Sequence, residues 1–316
     1  MKAYIFLFLS FIVSGLCKAQ VDSSYIEKFS QKAAVRVFVA KDFLYLNQSL
    51  ESDIEKTYMP NNPPKIGLGL SLYNTIINFS YGYGFDFMRN KELGKTKAFD
   101  FQLHNYWQRF VLDLFIQEYK GFYLDDDSQD IKPLCPDLKI RQYGVSGQYI
   151  FNNKRFSYRA AFNQNEKQLK SAGSFLIGFG VNTSKIEADS SFVFKGQNIF
   201  RNFQFSLSAG YAHTWVLKKG WFISGSVTTG ISFGSEKFST FGKQKLEVYP
   251  NIFPRLAVGY NKQDWSLGFS YLNNIVFPSV SDKNSLVLSS GSFQMTFIKR
   301  LNLSPFMDKK LDRLRR

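Results

Sequence analysis

The sequence is poor in the residues on which disulfide and metal chemistry depend. Its 316 residues contain two cysteines, Cys17 and Cys135, and two histidines, His104 and His213. A zinc site needs three or four cysteine, histidine or carboxylate ligands, so we predict no metal site and no cofactor. Because Cys17 falls in a predicted leader, one cysteine remains in the mature chain and no intrachain disulfide can form.

Long apolar runs are also missing, since none reaches the roughly 20 residues that a membrane-spanning helix needs. The longest mostly apolar run, at residues 3–13, follows Lys2 and precedes small residues at Cys17 and Ala19. This order is typical of a cleavable signal peptide. We predict such a peptide over residues 1–19 and therefore export of the mature chain.

Acidic residues are in deficit, with 25 Asp and Glu against 40 Lys and Arg and a formal net charge of +15. Nucleic acid, an anionic surface and anionic solutes are the partners that such a charge favours. Export makes nucleic acid the least expected of the three. We predict no nucleic-acid partner.

What the sequence has in abundance is alternation of period two, the pattern of half-buried β-strands. In residues 66–72, isoleucine and leucine alternate with glycine and serine. The same alternation recurs along the chain, at residues 77–85, 99–107, 203–215 and 265–271. An all-β fold is therefore predicted.

The contents of the two strand faces separate two kinds of all-β protein. A soluble sandwich covers its solvent face with charged and threonine side chains. Here one face is apolar, in a chain with 34 Phe and 17 Tyr, and the other is mostly Gly, Ser, Asn and Gln. That pattern is typical of a membrane β-barrel. We predict an antiparallel transmembrane β-barrel of about 12 strands, with 14 as the alternative; a soluble exported β protein is the remaining possibility.

We see no linker that would divide the chain into two domains. The predicted barrel occupies residues 35–300, after a periplasmic lead at residues 20–34 and before a basic tail at residues 301–316. Around Thr183 to Arg201 the predicted strands add to an odd total. Bacterial single-chain barrels have even strand counts, so one strand near this region is missed or wrongly assigned.

Short links are predicted for the periplasmic side of the barrel and longer polar links for the outer side. One strand is predicted at residues 156–162 and the next at residues 175–181. The polar stretch between them, residues 163–174, is then an outer hairpin that places Lys167 and Lys170 at the outer mouth or folded into the lumen. There the two lysines would face lipopolysaccharide phosphates or attract anionic solutes.

Several stretches resemble a known family. They are "MPNNPPKIGLGLSL", "GKTKAFDFQLHNY", "YKGFYL" and "YIFNNKRFSYRAAFNQNEKQLKSAGSFLIG". They are similar to the uncharacterised family of Bacteroidetes-type bacteria known as domain of unknown function 4421, and the resemblance extends from about Tyr25 to Phe297. It implies a barrel in the outer membrane of a diderm bacterium and implies no reaction.

Polar residues on the predicted lumen faces are the candidate site residues. Asp100 and His104 share one polar face. An outer-membrane acyl hydrolase could pair a histidine of this kind with a serine nucleophile, but no serine motif marks a partner. A hydrogen-bonding role for His104 in the lumen is the other interpretation.

Three functions follow. The first is a non-enzymatic barrel with a structural or assembly-related role, whose lumen is closed by side chains. The second is a narrow channel or transporter for small anionic solutes, which requires uncompensated cations in the lumen, with Arg141, Arg159 and Arg255 as candidates. The third is a lipid-modifying enzyme acting through His104. The predicted partners are outer-membrane lipids including lipopolysaccharide, and the barrel assembly machinery during biogenesis.

Overall fold

A computed structural model describes residues 21–31, 33–50, 55–72, 75–81, 85–125, 130–194, 196–235, 247–280 and 284–303. The predicted signal peptide and most of the basic tail lie outside these residues. Within them, no helix is long and apolar enough to cross a membrane.

The described chain is almost entirely β-structure. In chain order the elements are β1 (Ile26–Lys28), β2 (Ala33–Ser49), β3 (Glu55–Met59), β4 (Lys65–Leu72), β5 (Thr75–Tyr81), β6 (Lys97–Tyr106), β7 (Phe110–Leu124), β8 (Leu134–Ile150), α1 (Tyr158–Phe162), β9 (Glu166–Gln168), β10 (Ala172–Glu187), β11 (Ile199–Val216), β12 (Trp221–Ser235), β13 (Glu247–Asn261), β14 (Trp265–Ser279) and β15 (Ser285–Leu301). Short 3₁₀ turns lie at Asp86–Met88, Lys91–Leu93 and Lys218–Gly220.

Twelve strands form one antiparallel path, in the order β6-β7-β8-β10-β11-β12-β13-β14-β15-β2-β4-β5. This path has as many strands as the predicted barrel of about 12, but the closed ring is smaller than predicted. The short strand β3 pairs with both β2 and β7, so the hydrogen-bonded ring itself closes through ten strands, with β4 and β5 attached to β2 and with β6 attached to β7. The prediction of an all-β, antiparallel transmembrane barrel is confirmed.

The two faces of the wall differ as the alternation predicts. Outward positions in the middle of the strands carry exposed apolar side chains, for example Leu68, Phe179 and Leu207. Inward positions carry buried polar ones such as Gln142 and Thr228. A lipid-facing apolar band around a polar lumen is the arrangement that a bilayer requires of a barrel.

Aromatic residues gather at the end of the barrel where the short turns lie, which we call the turn end. All four tryptophans of the chain are there, in or beside the turns after β6, β11 and β13: Trp107, Trp215, Trp221 and Trp265. The rings of Trp221 and Trp265 both contact Tyr260, at centroid distances of 5.2 and 5.3 Å. Such a girdle marks the level of one membrane interface. The opposite end is called the loop end.

The connection between β8 and β10 differs from the prediction. The alternation predicts a lipid-facing strand at residues 156–162, but these residues include the buried helix α1. The stretch at 163–174 is therefore no outer hairpin, and the whole inserted segment, residues 151–171, lies at the turn end. Removing the false strand also explains the odd strand total, because residues 183–201 contain only the end of β10, the start of β11 and, among the described residues between them, no further strand.

Local chemistry explains why α1 forms. The Ser157 hydroxyl accepts a hydrogen bond from the Ala160 backbone N–H at 3.1 Å, which is an N-cap interaction. The rings of Tyr158 and Phe162, one helical turn apart, lie 4.7 Å from each other. Apolar residues at 156, 158, 160 and 162 fit a strand in sequence, but the cap and the i,i+4 aromatic pair favour a short helix.

A charge placed on the lipid face tests the membrane position of the wall. We expect Leu207→Arg, in the middle of β11, to lower the free energy of unfolding by about 2–4 kcal/mol, because an arginine there lies in hydrocarbon. Leu217→Arg, in the turn after β11, is the matched control and should cost about 0–1 kcal/mol. Both values are measured by urea unfolding in lipid vesicles. Equal losses for the two variants would contradict a membrane-spanning β11.

Candidate functional site

The lumen contains a cavity of about 710 Å³ between two closures. Its lining combines inward residues of the wall, such as Arg36 and His104, with residues of the inserted segment, such as Phe162 and Gln164. It also reaches outward residues of β6, such as Phe101. The inserted segment therefore lies inside the barrel and not beside it. This cavity and its two closures form the candidate site.

The closure at the loop end is an apolar layer. Its members are buried and in mutual contact: Leu44, Leu46, Tyr58, Tyr119, Phe122, Cys135, Leu138, Ile140, Ile186, Ala188, Phe192, Phe194, Leu286 and Leu288. The loop between β10 and β11 contributes two of the rings and is held from the wall. Gln48 Nε2 donates to the Val193 carbonyl at 2.6 Å, and the Tyr58 hydroxyl donates to the Ser191 carbonyl at 3.2 Å. The lumen is therefore packed like a protein core at this end.

The closure at the turn end is the inserted segment, which the wall holds by hydrogen bonds. Arg36 Nη1 donates to the Asn163 carbonyl at 2.9 Å and to Asn165 Oδ1 at 3.3 Å. Arg300 Nη2 donates to the Gln164 carbonyl at 2.8 Å. Two buried guanidinium groups on neighbouring strands thus bind one tight bend of the chain.

Gln164 is the residue at the tip of that bend. Its φ of 53° is positive, which is uncommon for a residue other than glycine. Its side-chain amide donates to Asn261 Oδ1 and to the Leu267 carbonyl, both at 3.1 Å. A Cβ added at Gly259 or Gly268 would collide with this side chain. The two glycines give the segment room to lie against the wall.

The inserted segment also contains a buried ion pair. Arg159 Nη2 lies 2.7 Å from Glu166 Oε1, and the Ser157 hydroxyl donates to Glu166 Oε2 at 2.6 Å. Tyr158 connects the segment to the wall through its hydroxyl, 3.3 Å from Ser226 Oγ. Arg159 is thus compensated within its own segment.

A second charged network lies on the wall, between β6, β7 and β13. Asp113 accepts from Arg255 Nη2 at 2.5 Å and lies 2.6 Å from His104 Nδ1. Arg255 Nη1 also donates to the Tyr106 hydroxyl at 3.2 Å. All of these residues occupy inward positions of the alternating pattern, on the neighbouring strands β6 and β7 and on β13 across the lumen. Asp113 therefore neutralises Arg255 and orients His104.

Asp100 forms the neighbouring polar cluster. Its Oδ1 accepts from Gln102, and its Oδ2 accepts from Gln117 and from the Tyr119 hydroxyl, at 2.9, 2.9 and 2.7 Å. These donors are neutral, so the Asp100 carboxylate is stabilised by hydrogen bonds. Tyr119 is also a member of the apolar layer, so the cluster adjoins the loop-end closure.

The predicted catalytic use of His104 needs a serine nucleophile at hydrogen-bond distance. Among the described residues, the hydrogen bond of His104 is to Asp113, and no serine hydroxyl joins it. No group of three or more histidine, cysteine, aspartate or glutamate residues that could hold a metal occurs in the same part of the chain.

Three predicted lumen or mouth residues lie elsewhere. Arg141 faces outward on β8 and forms an ion pair with Glu187 of β10. Lys167 lies on β9 at the turn end, where its Nζ is 3.6 Å from Glu27 of β1. Lys170 lies over the Tyr25 ring at 5.2 Å, at the same end. The predicted outer-mouth placement of these two lysines is wrong, because residues 163–174 form no hairpin at the loop end.

Sequence reasoning missed the two arginines that hold the inserted segment. Arg36 stands at an inward position of β2, between outward Val35 and Val37. The sequence did contain one indication of an inward Arg36, because it is a single cation between valines that alternate along β2. Arg300 was assigned to the end of the barrel, and nothing local indicated that it points at residues 164 and 266.

Comparison with known proteins gives a family and distant similarities of fold. A family model described as "Domain of unknown function (DUF4421)" matches residues 20–298. No curated protein matches the chain.

Three solved structures illustrate the distant similarities. The outer membrane protease OmpT from Escherichia coli is 6% identical, with a TM-score of 0.39, over 87% of this chain and 98% of that one. A bacterial polysaccharide outer membrane secretin is 8% identical, with a TM-score of 0.34, over 86% and 99%. The P. putida toluene transporter TodX is 6% identical, with a TM-score of 0.26, over 86% and 91%.

The charge balance on the wall can be tested by removing one partner. We expect Asp113→Asn to lower the free energy of unfolding by about 3 kcal/mol, because the buried Arg255 charge loses its counter-ion. The double variant Asp113→Asn with Arg255→Gln should recover most of that loss. Unfolding in guanidinium gives both values.

The control for this prediction is Asp264→Asn, which breaks an exposed pair with Lys299 at the turn end. Solvent screens such a pair, so stability should change little. If the double variant were as unstable as the sum of its two single variants, the pair would not be coupled and the interpretation would be wrong.

Proposed function

This chain belongs to the DUF4421 family, and we propose that it is a non-enzymatic outer-membrane β-barrel with a closed, non-conducting lumen and a structural or assembly-related role. The closure of the lumen at both ends, by the apolar layer and by the inserted segment, is the observation that carries the proposal. A pore would leave a continuous aqueous path, as in large porins.

The charges of the lumen support the same proposal. An anion pathway needs cations that are free to bind solute. Arg255 is neutralised by Asp113 and Arg159 by Glu166. Arg141 faces outward and is paired with Glu187. None of the three candidate cations is a free lumen charge.

A barrel filled in this way acts through its outer surface and its ends. Polar networks inside the lumen make the wall rigid, while the apolar band holds it in the outer membrane. The partners we propose are accordingly outer-membrane lipids including lipopolysaccharide, and the barrel assembly machinery that inserts the chain.

The second candidate function is a narrow channel or transporter for small anionic solutes. One observation favours it. Arg36 and Arg300 are buried beside the cavity and bind only neutral groups among the described residues. If the inserted segment moved away, these two guanidinium groups would become available to an anion.

Ion conductance of the purified, refolded protein in a planar bilayer tests the proposal. We expect no discrete steps from the wild type, because each closure alone blocks the lumen. A variant with residues 153–170 replaced by a short Gly-Ser turn should also stay silent. Combining that replacement with Phe192→Ser and Phe194→Ser should produce conductance steps.

The combined variant is the positive control, since it shows that an opened barrel is detected. Retained heat-modifiable migration on gels confirms that each variant is folded. Steps with anion preference from the wild type, abolished by Arg36→Gln with Arg300→Gln, would overturn the closed-barrel proposal in favour of the channel.

A further inference from the structure

The outer surface at the loop end carries a set of charged residues that the lumen site does not use. They occupy outward positions on the five adjacent strands β6, β7, β8, β10 and β11. We call them the rim patch: Lys97, Glu118, Lys120, Lys139, Arg141, Lys185, Glu187 and Arg201.

Strand register arranges the rim patch in two rows across the wall. In one row, Lys97 lies opposite Lys120 on the neighbouring strand, Lys120 lies opposite Lys139, and Lys139 lies opposite Glu187. In the other row, Glu118 lies opposite Arg141, Arg141 lies opposite Lys185, and Lys185 lies opposite Arg201. Neighbouring strands are about 4.8 Å apart, and positions i and i+2 on one strand are about 7 Å apart. The charges are thus close enough to act on one ligand.

The rim patch has more cations than its own acids can neutralise. Glu187 pairs with Arg141 and Lys185, and Glu118 pairs with Lys139 at 2.6 Å. Among the described residues, Lys97, Lys120 and Arg201 are exposed and have no acidic partner. Like charges directly opposite each other on neighbouring strands are destabilising. Lys97 and Lys120 therefore lie opposite each other without an acidic partner among the described residues, and an external anion would relieve their repulsion.

The position of the rim patch indicates where that anion lies. The next outward row toward the membrane is mostly apolar, with Thr183 on β10 between apolar residues of β6, β7, β8 and β11: Phe101, Ile116, Tyr143 and Phe203. The lipid-facing band thus begins directly below the charges, which places them at headgroup level. The patch is also one-sided, because in the described chain the outward positions of β12, β13 and β14 carry no charged residue.

We propose that the rim patch binds the phosphate groups of a phosphorylated glycolipid in the membrane leaflet at the loop end. Arginine and lysine are the side chains that bind phosphate oxygens by charge-assisted hydrogen bonds. A lipid fits better than free phosphate, because its acyl chains can contact the apolar row while its phosphates contact the cations. This inference rests on the outer-membrane placement in the proposed function and names the residues that recognise the lipid, but it does not depend on whether the lumen conducts.

The test uses the full-length protein in detergent and measures binding of bisphosphorylated lipid A by native mass spectrometry. The same lipid without phosphates and inorganic phosphate alone are the comparison ligands. We expect the wild type to bind the phosphorylated lipid and to bind the dephosphorylated one at least about tenfold more weakly, since several surface cations lose their attraction to the phosphates.

The test variant is Lys97→Gln, Lys120→Gln and Arg201→Gln, which breaks no ion pair among the described residues. It should lose at least about tenfold in affinity for the phosphorylated lipid. The matched control, Lys154→Gln, Lys218→Gln and Lys262→Gln, removes the same charge from exposed positions at the turn end and should bind like the wild type.

Three outcomes would overturn the proposal. Equal binding of the two lipids would mean that phosphate is not recognised. An equal loss of affinity in the control variant would mean that binding depends on the net charge of the protein and not on the rim patch. Competition by inorganic phosphate at the same concentration as the lipid would assign the patch to free anions. Native-like migration on gels shows that a loss of binding is not a loss of folding.

Discussion

Backbone hydrogen bonding in a medium without water is the constraint on which the structure depends. The bilayer offers no partner to an exposed strand edge, so each strand in the membrane must be paired on both sides or be shielded. Pairing of β15 with β2 joins the last long strand to the first, and β3 closes the ring between β2 and β7. Among the described residues, β5 and β6 are each paired on one side only. Once the wall is closed, period-two alternation separates each strand into a lipid face and a lumen face, and the side chains of the lumen must satisfy one another.

The lumen meets that requirement in two different ways. At the loop end it is filled by apolar side chains, which need no partners. Nearer the turn end it is filled by paired or hydrogen-bonded polar groups, and by an inserted segment whose backbone carbonyls accept from Arg36 and Arg300. Both solutions leave the barrel closed. They also leave its outer surface as the part that can contact lipids, and there the charged rim adjoins the apolar band.

Much of the wall could be predicted from the sequence, because alternation is a local property. Residues 66–72, 99–106 and 203–215 form strands where the pattern indicated them. Residues 156–162 show the same pattern and form no strand, since Ser157 caps a helix turn and the rings of Tyr158 and Phe162 contact each other. Spacing alone cannot separate these two cases over so short a stretch. The inward direction of Arg255 and His104 followed from the pattern, but their shared partner Asp113 did not.

Three properties can be read from the sequence without a structure: the strands alternate, the apolar residues suit lipid, and no apolar run is long enough for a membrane-spanning helix. Only the tertiary structure shows which side chains point into the lumen and which point outward where the strands extend beyond the membrane. On β8, Ile140 points into the lumen and Arg141 points outward, the reverse of the simple rule, because the lumen at the loop end is apolar and the outside has left the hydrocarbon. The rim patch has the same origin: residues from Lys97 to Arg201 become neighbours only through strand register, which depends on pairing partners far apart in the chain.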